Sequence, residues 1–74
     1  MKPNKQQQKM LDKLEEIGEV KDVSVRGAVV LRLADMRLRI EENGRVRYLE
    51  GESSDTDSGT YVGLIWLRER VAGV

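Results

Sequence analysis

Between residues 4 and 17, Met10, Leu11, Leu14 and Ile17 recur at helical spacing, and lysine, glutamine and acidic residues fill the positions between them. This predicts an amphipathic helix. Asn4 is placed to cap it, and Gln7 three residues later completes a capping-box pattern. Gly18 is a natural residue just past its end. The charges oppose the helix dipole, with Lys5 and Lys9 near the positive end and Glu15 and Glu16 near the negative end. Each mismatch costs ~0.3–1 kcal/mol when exposed. The helix is therefore expected to depend on docking its apolar stripe, and its first turn is expected to fray.

From Val23 the period changes from helical to alternating. Val23 and Val25 alternate with Ser24; Val29, Leu31 and Leu33 with Val30 and Arg32; Met36, Leu38 and Ile40 with Arg37 and Arg39; Val46 and Tyr48 with Arg45, Arg47 and Leu49. The turns decide whether these faces agree. A two-residue hairpin at Asn43 and Gly44 would place Ile40 opposite Arg47 and mix apolar with charged residues on both faces. A three-residue loop, Glu42 to Gly44 with Gly44 left-handed, places Ile40 opposite Val46 and Leu38 opposite Tyr48. One face is then apolar throughout, and the buried face sets register. The same test gives a three-residue loop at Arg26, Gly27 and Ala28 and a short connection at Ala34 and Asp35. Ala34 is a poor residue for such a turn, because positive φ is costly with a Cβ. A bulge within one long strand is the alternative there.

The apolar face then carries Val23, Val25, Val29, Leu31, Leu33, Met36, Leu38, Ile40, Val46 and Tyr48. The other face carries Arg32, Arg37, Arg39, Arg45, Arg47, Glu41 and Leu49. An acidic loop follows over 51–58. Residues 59–72 have strand-like apolar content at their start but end as helices do, with Arg68 and Arg70 in the last turns and Gly73 just after. A helix is preferred there, negatively capped by Asp57 or Ser58, with a fifth strand as the alternative. The expected fold is one small α+β domain over 1–74: an N-terminal helix (4–17), a four-stranded antiparallel meander sheet (20–50), the loop, and a C-terminal helix, with both helices on one sheet face.

Composition narrows the function. Charged residues make up 35% of the chain, yet the net charge is zero, which argues against a wholly basic nucleic-acid binder or an acidic nucleic-acid mimic. There is no cysteine and no histidine, so thiolate sites and the commonest general base and metal ligand are excluded. The run at Asp55, Asp57 and Gly59 does not fit a calcium loop, because counting from Asp55 puts Trp66 where a bidentate glutamate is needed. The isolated glycines make no phosphate loop. A non-catalytic protein with no metal and no cofactor is expected. No apolar run of membrane-spanning length and no signal-peptide core is visible near Met1, so a cytoplasmic protein with no membrane partner is expected.

The arginines raise the functional question. Arg32 is expected opposite Arg37, and Arg39 opposite Arg47, although like charges across strands are destabilising. Asp22 is placed to pair with Arg32, and Glu41 with Arg45; plain solvation is the bland alternative. All five are arginine although lysine is used freely in the first helix, and arginine suits bidentate binding of carboxylate or phosphate. They predict a partner-binding face for an acidic surface on a larger protein. Nucleic-acid phosphate is the alternative, weakened by the lack of any aromatic expected on that face. Tyr61, Ile65 and Trp66 are expected either to fill the core or to form a dimer or secondary interface. A homodimer is expected because a domain this small has a thin core. By size and composition the profile is that of a small inhibitor or modulator of a larger macromolecular machine, such as phages and mobile elements carry, anti-CRISPR proteins among them.

Overall fold

A computed structural model of the chain describes residues 1–50 and 59–73. The order is α1 (Lys5–Ile17), β1 (Val20–Arg26), β2 (Ala28–Leu33), β3 (Met36–Ile40), β4 (Val46–Leu49), β5 (Thr60–Val62) and α2 (Leu64–Ala72). The strands form one antiparallel sheet in sequence order. Both helices pack on its apolar face. Leu11 and Leu14 of α1 and Leu67 of α2 join Val29, Leu31, Leu33, Met36, Leu38, Ile40 and Val46 in one buried core. The fold is therefore α+β, as the alternation predicts, but among the described residues the sheet has five strands rather than four. The acidic loop expected over 51–58 lies outside the described residues.

The last segment satisfies both readings of its sequence in turn. Thr60–Val62 is the fifth strand, and the helix starts only at Leu64. The expected helix over 59–72 is thus too long at its start. Its N-cap is Gly63, with no side-chain cap, and not Asp57 or Ser58. The β-branched and aromatic residues at its start pair with β4 instead of winding into a turn. The end follows the sequence signal: Gly73 is left-handed at φ 78°, and its N–H donates to the carbonyls of Arg70 and Glu69.

The register is the one the apolar face demands. Ile40 pairs with Val46, Leu38 with Tyr48, and Leu33 with Met36. In the loop between β3 and β4 the Glu41 N–H donates to the Arg45 carbonyl at 2.8 Å, and Gly44 takes φ 87°. A Cβ at Gly44 would lie 3.3 Å from Cβ of Gln6, so this loop also receives the first turn of α1. Between β2 and β3 the chain turns in the two residues Ala34 and Asp35, and Ala34 bears the cost, with φ 54°. Val23 departs from expectation. Asp22 is left-handed at φ 54°, the register of β1 shifts between Lys21 and Ser24, and Val23 is 48% exposed. An extra residue in a strand takes its neighbour out of alternation, so Val23 does not belong to the core.

The first turn of α1 is pinned where fraying is expected. The capping box forms, with the Gln7 N–H donating to Asn4 Oδ1 at 2.8 Å and the Asn4 N–H to Gln7 Oε1 at 2.9 Å. Gln7 is also 1% exposed. Its Nε2 donates to the carbonyl of Gly27 at 2.6 Å and reaches that of Ile40 at 3.4 Å. Asn4 Nδ2 donates to the Glu42 carbonyl at 2.9 Å. Two hairpin ends are thereby tied to one helix end. Gly18 is extended rather than left-handed, with φ −173°. Its lack of a side chain serves packing: a Cβ there would lie 3.3 Å from Leu33 Cδ1 and 3.4 Å from Val71 Cγ1.

Two stability changes follow. Gln7→Leu keeps the volume but leaves the Gly27 carbonyl without its donor and removes half of the capping box. It should cost ~1–3 kcal/mol, which lowers Tm by about 4–8 °C per kcal/mol in a domain of this size. Ala34→Gly should raise stability by ~0.5–1 kcal/mol, because relief of left-handed strain outweighs the entropy of glycine in the unfolded chain. Thermal and urea melts read both; an unchanged Gln7→Leu melt would remove the pin from the account of α1.

Candidate functional site: a cationic sheet face with one aromatic

The face turned away from the helices is built by strand parity. Lys21, Ser24 and Arg26 of β1 pair with Arg32, Val30 and Ala28 of β2. Arg32 and Val30 pair in turn with Arg37 and Arg39 of β3. Arg37 and Arg39 pair with Leu49 and Arg47 of β4, and Arg47 pairs with Tyr61 of β5. Arg45 precedes β4 on the same side. The structure thus brings the five expected arginines, Arg32, Arg37, Arg39, Arg45 and Arg47, onto one face. It adds Arg26, which follows Val25 by simple alternation, and Lys21, whose place on that face depends on the bulge in β1.

The charges are interleaved with specific partners. Asp22 Oδ2 lies 3.5 Å from Arg32 Nε, the pair expected from sequence. Glu41 does not pair with Arg45; its Oε1 lies 3.4 Å from Arg47 Nε and accepts a hydrogen bond from the Tyr61 hydroxyl. Arg47 Nη2 donates to the same hydroxyl at 2.9 Å, and Nη1 to the Gly59 carbonyl at 3.3 Å. Arg45 instead lays its guanidinium over the Tyr61 ring, 3.9 Å from the centroid, with that of Arg47 at 4.2 Å. Such cation–π contacts are worth ~0.5–1 kcal/mol at exposed sites. Arg47 is therefore a strap between β4 and β5. At Gly59 a Cβ would lie 2.5 Å from the Tyr48 carbonyl oxygen, so only glycine fits where the chain enters β5.

Tyr61 corrects the sequence reading twice. It neither fills the core nor leaves the arginine face without an aromatic: it is 38% exposed and stands on that face. Only the existence of β5 puts it there. Trp66 does not fill the core either; it is 40% exposed and touches the Tyr48 ring at 5.6 Å between centroids. Ile65 is 71% exposed. Leu49 lies on the arginine face by parity, yet it is buried.

Electrostatically, Glu41 is the acid at the centre. The Tyr61 hydroxyl, then the hydrogen bond and charge of Arg47 and the charge of Arg39, hold its carboxyl below the ordinary value of 4.5. Among the described residues no helix is long and apolar enough to cross a membrane. The fold and the face together define a small α+β domain with a cationic sheet surface. No family model, no curated protein and no solved structure matches the chain.

A depressed carboxylate stabilises the fold above its unfolded pKa, and that contribution is lost as pH falls through the folded value. The Glu41→Gln variant should therefore melt below wild type by a constant margin above about pH 5. The margin should shrink as the pH drops beneath the ordinary glutamate value of 4.5. Melts of both proteins across that range test this, and parallel curves would show that Glu41 is not held by Tyr61 and Arg47.

Proposed function

We propose that the chain is a small non-catalytic protein-binding module whose arginine face engages an acidic surface on a larger partner, as an inhibitor or modulator of that partner. The observation that supports this reading is the gathering of Arg32, Arg37, Arg39, Arg45 and Arg47 with Lys21 and Arg26 on one sheet face. Two of the cross-strand pairs there are arginine on arginine. Such pairs cost a few tenths of a kcal/mol up to ~1 each in water; Asp22 beside Arg32 and Glu41 beside Arg47 offset part of that cost, and an anionic partner would add to the offset. The sequence offers no histidine or cysteine for chemistry. Nucleic acid is the second reading, and Tyr61 on the cationic face favours it, because bases stack on aromatics. Against it, the Tyr61 ring is already covered by arginine, and its hydroxyl is bound to an acid. A homodimer through the exposed Ile65 and Trp66 would use the apolar side of the molecule and leave the arginines open.

Arg47 is unsuitable for a test because it straps β5. Replacement of Arg32, Arg37 and Arg45 by glutamine should lower stability by no more than about 2 kcal/mol, since surface ion pairs and exposed cation–π contacts each contribute little. The same variant should weaken the complex with partners recovered by wild type from the source cell by at least about tenfold, since truncating desolvated interfacial charges costs ~2–5 kcal/mol. Partner titrations at equal affinity would overturn the proposal. Binding of single-stranded nucleic acid with a steep salt dependence would replace it with the second reading.

A further inference from the structure

The two edges of the sheet differ. β1 carries its bulge at Asp22 and Val23, with Lys21 alongside, and bulges and lysines protect edges from pairing. β5 has no register shift. The ladder shows which of its backbone groups face outward. At the loop the backbone N–H of Glu41 donates to the Arg45 carbonyl and the Glu41 carbonyl accepts from Gly44, so this is a bonded position of the ladder, and bonded and non-bonded positions alternate along antiparallel strands. Arg39 and Arg47 are then bonded to each other, while Val46 and Tyr48 bond outward to Val62 and Thr60. Tyr61 is left as the non-bonded partner of Arg47, and its own N–H and C=O point away from the sheet. No described strand lies beyond it.

The flanks of this edge differ. On the arginine face, Arg45 and Arg47 reach from β4 over β5 and hold their guanidiniums within 4.2 Å of the Tyr61 ring centroid, so positive charge lies over the edge strand. Beside it a groove of about 390 Å³ is lined by Tyr48, Thr60, Val62, Gly63 and Trp66, with Glu50 and Tyr61 at its walls. Tyr61, Ile65 and Trp66, three of the large apolar residues left exposed, all fall within β5 and the start of α2. Resting on the reading of the arginines as an acidic-partner site, we infer that β5 accepts an extended segment of the partner as an added strand. Its alternate side chains are acidic toward Arg45 and apolar toward Trp66. A second copy of this chain is a poor occupant, because pairing β5 with β5 in one continuous sheet would bring two arginine faces together.

The probe is a short capped peptide alternating glutamate and valine, titrated into the isotopically labelled protein and followed by NMR. Two controls carry the same side chains: a block-ordered peptide, and an alternating one with N-methylated backbone amides. The alternating peptide should shift the Tyr61 amide and the Trp66 indole signal. N-methylation or block order should weaken it by about tenfold, the equivalent of one or two lost hydrogen bonds. Equal binding of all three peptides, with shifts confined to Arg32, Arg37 and Arg39, would overturn the added strand and leave the acidic-surface reading standing. No shift in either region would overturn both. Sedimentation of the free protein as a dimer with the Trp66 indole buried would overturn the inference in favour of a second copy.

Discussion

The buried amide of Gln7 is the constraint on which the rest of this fold leans. The helix that carries it has charges that oppose its own dipole, and in isolation a helix of this length is marginal. One side chain joins its cap to the carbonyls of Gly27 and Ile40, so the helix start and two hairpin ends become a single hydrogen-bonded unit. Water cannot replace those bonds at a site this enclosed, and a lost partner there would leave a buried polar group unsatisfied. With the helix fixed over the apolar face, the register of β2, β3 and β4 is fixed as well, since a slip by one residue would carry arginines into the core. The cationic face is thus a consequence of how the opposite face is packed.

Two acids are placed against particular arginines of that face. Asp22 comes to Arg32 from a bulge, and Glu41 comes to Arg47 from the strand end, with the Tyr61 hydroxyl closing the group. Arg47 spends its donors within the molecule and binds β5 to the sheet. Arg45, stacked on Tyr61, keeps its guanidinium facing outward along the same edge. Structural and exposed cations therefore alternate along one short stretch, and a partner would meet a surface already held in position, which lowers the entropic cost of binding.

The position of β5 is what gives the arginine face a direction. Without it the arginines would be a broad patch on a four-stranded sheet. With it, one border of the patch acquires an aromatic ring, an outward-facing backbone and, beside it, a groove walled by Tyr48, Val62 and Trp66 together with Glu50 and Thr60.

Much of this was legible in the sequence. The apolar stripe of α1 and its capping box, the alternation of β2 to β4, the left-handed Gly44 and the shared face of the five arginines follow from local periodicity and turn chemistry, which act over a few residues and depend little on what lies elsewhere. Gln7 carried a signal as well: it continues the stripe of Leu11 and Leu14, a polar residue at a core position. Its acceptors lie far along the chain, so only the assembled structure names them. The bulge at Asp22 was hidden because a bulge is a mismatch between two strands and has no period of its own. The division of 59–72 into β5 and α2, the exposure of Trp66 and the arrival of Tyr61 among the arginines were decided by tertiary structure. An apolar aromatic run suits a strand edge and a helix equally well, and only the open side of β4 made the strand the better place for Tyr61 to go.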